Sequence, residues 1–241
     1  MRHIYVIGIG AGDPEHLTLQ AIRALNACDV FLHMDKGAEK DSLAQLRRDM
    51  LAEHMTHEFT WVEVPDPERD RTGPGYREAV ADWHAARAAL YDETLASHDG
   101  ALGILVWGDP ALYDSTLRVI ALMSTPVEVT VIPGITAPQT LAAQHAITWN
   151  RIAGPVHVTT GRRLREEGMT ADDVIVMLDA QNSFLTVDPA IEIFWGAYLG
   201  TPDEILLSGT IGSVGSQIEK VRAEARAEHG WIMDTYLLRR P

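Results

Sequence analysis

Three glycine-bearing turns, each directly after an apolar run, are the parts of this sequence best suited to chemistry. The first is Gly8-Ile9-Gly10-Ala11-Gly12 in "YVIGIGAGDPEHLT", the second Gly108-Asp109-Pro110 in "VWGDPALYDST", and the third Pro133-Gly134 in "VIPGITAPQT". Main-chain amides and carbonyls exposed at such turns can hold adenine, ribose and an amino-acid moiety without a strongly charged side chain. A dinucleotide cradle asks for G-x-G-x-x-G and for an acid at the end of the second strand. Here the spacing is G-x-G-x-G, and Asp13-Pro14 follows at once. Proline with an acidic neighbour is good helix-start chemistry, but a carboxylate at that N-terminus repels a pyrophosphate. Asp35, closing the second apolar run in "HMDKG", keeps the dinucleotide reading open. Gly108-Asp109-Pro110 is the strongest pointer to a site. It follows "LGILVWG", the continuous apolar run of a central parallel strand, and ligands of open α/β sheets bind at the carboxyl ends of the strands. The bland alternative is an ordinary strand-to-helix turn capped by Asp109. Thr136 is placed to cap the helix after the third turn.

The elements that must position these turns read as α/β. Strands are expected at "HIYVIGIG", "DVFLHM", "FTWVEV", "GALGILVWG" and "VEVTVIPG", alternating with helical stretches, which is the pattern of a parallel sheet covered by helices. Leu17, Ala21, Ala24 and Leu25 recur at helical spacing around Thr18, and Val80, Trp83, Leu90 and Leu95 mark one face of a long helix. Residues 65–76, "PDPERDRTGPGY", read as an exposed loop. Beyond residue 135 the texture changes. Strands at "PVHVTTG", "DDVIVML", "IEIFWGAYLG", "EILLSGTIG" and "WIMDTYLLR", with one helix at "SQIEKVRAEARAEHG", suggest a mixed sheet. The expected domains are therefore residues 1–135, an α/β domain with a parallel sheet, and 136–241, an α/β domain with a mixed sheet.

The chain has 241 residues, 46% apolar, enough for real cores. Its formal net charge of −14 opposes a nucleic-acid backbone at long range. No stretch has the roughly 18 apolar residues of a membrane span, and the first strand is too short for a signal peptide's apolar region. The lone cysteine, Cys28, rules out an internal disulfide, suits a reducing cytoplasm and reads as a small buried side chain. His54 and His57 have no third ligand in the nearby sequence, so no metal site is expected.

Taken together, "GIGAGDPEHLT", "GDPALY", "IPGITA" and "DDVIVML", in that order along the whole chain, resemble the tetrapyrrole methylase family, S-adenosylmethionine-dependent methyltransferases that act on precorrins and sirohaem precursors. Within it, "DVFLHMDKGAEKDSLAQLRRDM" and "WGDPALYDSTLRVI" look most like the branch that methylates carbon 1 of precorrin-5 and releases a two-carbon group as acetate. The resemblance implies a two-domain fold with the active site in the interdomain cleft, a homodimer, and S-adenosylmethionine held largely by main chain. The cofactor-binding positions it implies are Ala11, Trp107, Gly108, Asp109, Leu112, Thr136, Ala137, Met177, Gly196 and Ala197. Ala11 stands where relatives usually have proline.

Methyl transfer from a sulfonium is an in-line displacement that needs positioning more than proton chemistry. Acetate release needs more, because water must attack an acyl carbonyl, and a general base would help. Asp13, Asp35 and Asp114 are the candidate bases. Each also has a structural reading: Asp13 as a helix cap, Asp35 as a partner of Lys36, Asp114 as the support of a turn. A substrate rich in carboxylates requires a locally basic surface on this acidic protein. Arg162, Arg163 and Arg165 in "TTGRRLR", and Lys36 with Lys40, Arg47 and Arg48, are the candidates, and arginine suits bidentate carboxylate binding. Competing readings are another tetrapyrrole or diphthine-type methyltransferase, a nicotinamide-dependent oxidoreductase argued from Gly8 to Gly12 with Asp35, and a non-enzymatic tetrapyrrole carrier.

Overall fold

The computed structural model describes residues 2–35, 37, 41–68 and 76–241, with main chain alone at 41, 42, 76 and 77. The chain divides into two compact units, Met1–Gly10 with Pro14–Ile135 and Ala11–Asp13 with Thr136–Pro241.

The first unit runs β1 (Arg2–Gly8), α1 (Leu19–Leu25), β2 (Val30–Asp35), α2 (Asp41–His54), β3 (Thr60–Pro65), α3 (Tyr76–Ser97), β4 (Leu102–Val106), α4 (Thr116–Ile120) and β5 (Val127–Ile132). Its five strands are all parallel, in the order β3-β2-β4-β1-β5. The fully apolar β4 lies at the centre with every residue buried, as a strand covered on both faces must be. One face packs Ile4, Val6, Leu32 and Ile104 against Ala88, Tyr91 and Leu95 of α3. The other packs Ile7, Phe31 and Leu105 against Leu25 of α1 and Met50 and Leu51 of α2. All three glycine turns therefore emerge at the carboxyl edge of one sheet.

The second unit runs α5 (Ala137–Gln144), β6 (Val156–Thr160), α6 (Gly161–Glu167), β7 (Asp173–Met177), β8 (Glu192–Ala197), β9 (Ile205–Thr210), α7 (Ile211–His229) and β10 (Asp234–Arg239). Its sheet is mixed, in the order β6-β7-β10-β8-β9, with only β6 and β7 parallel. Trp195, Phe184, Tyr236 and Ile218 fill the core beneath α7. The parallel sheet and the mixed sheet are both as the sequence suggested.

Several local expectations are corrected. Asp13-Pro14 opens only a 3-10 turn, Pro14–His16, and α1 starts afresh at Leu19, where the Thr18 hydroxyl accepts a hydrogen bond from the Ala21 amide. Helix α7 starts five residues earlier than the sequence suggests, at Ile211, because Gly212 and Gly215 are close-packed against Pro189 and Leu185 and cannot be read as breakers. On α3 the buried face is turned toward Arg87, Ala88, Tyr91 and Leu95, and Trp83 faces Asp66 instead of the core. Asp66, expected on an exposed loop, is held by the Arg87 guanidinium through bonds of 2.7 and 2.6 Å, with Trp83 stacked 4.0 Å from that cation. Residues 69–75 of that loop lie outside the described residues.

Candidate functional site

The three turns are fastened to each other by main chain. Gly108 donates its amide to the Gly10 carbonyl at 2.7 Å, and the Gly10 amide reaches back to the Gly108 carbonyl at 3.4 Å. Asp109 uses both carboxylate oxygens on main-chain amides, one on Ala111 at 2.7 Å and the other on Gly134 at 2.9 Å. It thereby ties the second turn to the third. The glycines are required by this close approach. A Cβ on Gly8 would stand 2.6 Å from the Gly134 nitrogen, and one on Gly134 only 2.1 Å from the Gly108 oxygen. Real Cβ atoms do not approach backbone so closely, so side chains are sterically excluded where the three turns pack main chain on main chain.

The dinucleotide reading fails on the path of the first turn. A pyrophosphate cradle needs the glycine loop to run straight into a helix N-terminus. Here Ala11–Asp13 pack with the second unit, and a Cβ on Gly12, at φ +148°, would stand 2.7 Å from both the Leu199 carbonyl oxygen and the Thr201 methyl. Asp35 spends one carboxylate oxygen on the Gly37 amide, at 2.8 Å.

Three large residues with φ near +50° follow the expected cofactor positions. Tyr113 comes directly after Leu112, Leu178 after Met177, and Tyr198 after Gly196-Ala197. Non-glycine residues pay for this conformation, and such strain concentrates at ligand sites. Tyr113 is 45% and the apolar Leu178 65% exposed. No feature of the sequence marks these three residues, because tyrosine and leucine are not turn formers. His16 was likewise missed. Its Cβ packs on Gly10, and its Nδ1 is buried without a hydrogen-bond partner.

The remaining expected positions are placed as follows. In the first unit, Trp107 is half-buried beside Arg47, and Leu112 donates its amide to the Asp109 carbonyl. In the second, Ala11 is buried, and Thr136 forms a capping box with Gln139 at the start of α5, where Ala137 is the first helical residue. Met177 ends β7. Gly196 and Ala197 lie inside β8, both buried and paired on both sides.

Of the candidate bases, Asp13 is half-buried ahead of the 3-10 turn, and Asp114 accepts the Thr116 amide at 2.7 Å, supporting the start of α4. Arg162 and Arg163 are exposed on α6 and paired with Glu166 and Glu167, Arg163 with Glu167 at 2.7 Å. Those pairs already neutralise part of the charge that a substrate would meet. Lys36 and Lys40 lie outside the described residues.

His33 sits on β2 with its ring stacked 5.2 Å from Trp61. Burial, and then the Arg47 charge, push its imidazole down to about 4 from an ordinary 6.5. The unfolded chain therefore takes up this proton first as the pH falls, and stability is lost between about pH 6.5 and 4. Urea midpoints of the wild type should fall across that window and those of His33→Phe less steeply; equal slopes would contradict the assignment.

Comparison with known proteins agrees with this geometry. Residues 3–215 match the model of the tetrapyrrole (corrin/porphyrin) methylases, and the chain belongs to that family. Among its relatives, a precorrin-6A synthase [deacetylating] of Sinorhizobium sp is 48% identical over 250 aligned positions, covering 100% of this chain and 96% of that protein. A cobalamin synthesis related protein from Corynebacterium diphtheriae superposes with a TM-score of 0.84 at 41% identity, over 99% of this chain and 98% of that one. A uroporphyrin-III C-methyl transferase from Thermus thermophilus, complexed with S-adenosyl homocysteine, shares the fold at a TM-score of 0.62 and 19% identity, over 98% of this chain and 92% of that one.

Proposed function

We propose that this chain transfers a methyl group from S-adenosylmethionine to carbon 1 of precorrin-5 and releases the extruded two-carbon group as acetate, the activity of a deacetylating precorrin-6A synthase. The observation that carries this reading is the end-to-end identity of 48% with a protein so named. Described residues include no helix long and apolar enough to cross a membrane.

S-adenosylmethionine, when bound, supplies an electrophilic methyl group on a sulfonium. The fit of the protein to it rests on the glycine turns at the carboxyl edge of the parallel sheet, where only main chain can be accommodated and where Asp109 and Gly134 are partly accessible. The protein's task in methyl transfer is to hold the nucleophilic carbon in line with the methyl group. Acetate release needs a proton acceptor. Water adds to the acyl carbonyl, its proton passes to a carboxylate, and the bond to carbon 1 breaks with its electron pair spread over the macrocycle. Methylation then uses the same delocalised carbanion.

Asp13, Asp35 and Asp114 are the proposed bases. Asp35 and Asp114 each spend one oxygen on a main-chain amide, and among the described residues the other oxygen takes no hydrogen bond. Asparagine at the working base should slow acetate release by about 10²- to 10⁴-fold. S-adenosylhomocysteine affinity should stay unchanged. Assaying acetate and methyl transfer separately identifies the residue, and unchanged rates for all three variants would sink the assignment. A cytoplasmic homodimer belongs to the same proposal, and light scattering of the purified protein tests the dimer.

A further inference from the structure

The strands β2 and β4 begin as neighbours and then part. Their ladder holds only Val30 with Leu102 and Phe31 with Gly103, although β2 continues to Asp35 and β4 to Val106. Val106 gives its carbonyl to the Ile9 amide on the β1 side, so the alternation of a parallel strand turns the Leu105 carbonyl toward the side where β2 has left. Arg47 of α2 fills that place. Its Nε donates to the Leu105 carbonyl at 3.4 Å, a terminal nitrogen donates to the Leu43 carbonyl at 2.8 Å, and its guanidinium carbon lies 5.8 Å from the centre of the Trp107 ring.

What sets Arg47 apart is that no described side chain supplies it with an anion. The buried Arg87 and Arg222 and the half-buried Arg239 hold Asp66, Asp234 and Asp173 at 2.6, 2.9 and 2.6 Å, whereas Arg47 is half-buried. Among the described residues no carboxylate lies within 4.0 Å of Arg47. Burial lowers its guanidinium to about 10, and Asp114 acts on it only as a charge at longer range. A desolvated cation without a counter-ion is costly, and such a cost persists where a ligand supplies the anion. The place itself is the carboxyl edge of the sheet where two strands diverge, beside the Gly108 turn, which is where open α/β sheets bind ligands.

We infer that Arg47, wedged between the parted ends of β2 and β4, binds a side-chain carboxylate of the tetrapyrrole and fixes the macrocycle against Trp107. The inference rests on the reading above for the identity of the substrate, but not for its chemistry. Arg47 is a substrate-binding residue and takes no part in bond making. Its two donors to main chain leave the remaining N–H groups for a carboxylate, a geometry lysine cannot copy.

The test combines turnover with binding. For wild type, Arg47→Gln and Arg47→Lys, KM and kcat for precorrin-5 are measured, together with the affinities for uroporphyrin III and S-adenosylhomocysteine and the thermal midpoint. Arg47→Gln should raise KM for precorrin-5 and Kd for uroporphyrin III by at least about tenfold, with kcat within about threefold and S-adenosylhomocysteine affinity within about twofold. Arg47→Lys should recover only part of the loss. Unchanged KM and Kd in Arg47→Gln would overturn the inference, and so would an equal loss of both ligands, which would mark a structural role. A wild type that ignores precorrin-5 yet binds uroporphyrin III through Arg47 would instead refute the proposed reaction and leave this site standing.

Discussion

Gly134→Ala should weaken S-adenosylhomocysteine binding at least about tenfold, measured by isothermal titration, while the protein stays folded. The new Cβ would meet the Gly108 oxygen at 2.1 Å and the Gly8 carbonyl carbon at 2.8 Å, both backbone atoms. No side chain can rotate away to make room. The third turn must instead withdraw from the other two, which strains the 2.9 Å bond from the Gly134 amide to Asp109 and disperses the main-chain groups that the turns present together. Overpacking of this kind costs about 1–3 kcal/mol, and the cost falls on the turns because β1, β4 and β5 are otherwise regular. Gly154→Ala is the control, since its nearest new contact is 3.4 Å from the Arg151 oxygen, and its affinity should match the wild type. Wild-type affinity in Gly134→Ala would show that the turns do not form the binding surface.

Asp179→Ala should destabilise the protein by about 3–5 kcal/mol, the largest stability loss expected of any single substitution considered for this chain. Its carboxylate is buried and accepts four bonds, from the Tyr236 hydroxyl at 2.7 Å, the Ser183 amide at 2.6 Å, the Ser183 hydroxyl at 2.8 Å and the Gln181 amide at 3.0 Å. Burial and the Asp179 charge push the Tyr236 hydroxyl well above its ordinary range, so it remains a donor at every physiological pH. Alanine would leave Ser183 and Tyr236 with buried, unsatisfied groups. The same carboxylate explains Gly161 at the start of α6, where a Cβ would sit 2.3 Å from its oxygen. Guanidinium unfolding of the wild type, Asp179→Ala and Tyr236→Phe checks this. Tyr236→Phe should cost about 1 kcal/mol, and a loss below that for Asp179→Ala would contradict the network.

Much of the fold was legible because local and tertiary demands coincide. "LGILV" is apolar at every position because β4 is central, and Thr18 and Thr136 stand where helices α1 and α5 start. Three of the family's motifs fall at the ends of β1, β4 and β5 and the fourth is β7 itself, so they could be placed by their order. Features made by approach between distant segments were not legible. Helix α2 falls among the helical stretches expected between strands, but Arg47, Arg48 and Asp49 interrupt its apolar positions and hide its bounds, and the function of Arg47 depends on how far β2 and β4 stay paired. The Asp66 pair with Arg87 joins a loop to a helix 21 residues away, and nothing in "PDPERD" distinguishes a fixed aspartate from a solvated one. Asp109 carries a double duty on the Ala111 and Gly134 amides that its own turn does not disclose. The strain at Tyr113, Leu178 and Tyr198 is imposed by the fold on residues with no intrinsic preference for it.

The central claim is that this chain joins methyl transfer to acetate release on one macrocycle. The purified protein incubated with precorrin-5 and methyl-labelled S-adenosylmethionine, followed by mass spectrometry of the tetrapyrrole and assay of acetate in the same tube, tests it most directly. The account predicts a product that carries one labelled methyl group and lacks the two-carbon group, with one acetate released per turnover. A labelled macrocycle that retains the two-carbon group, or a macrocycle recovered without label, would contradict it.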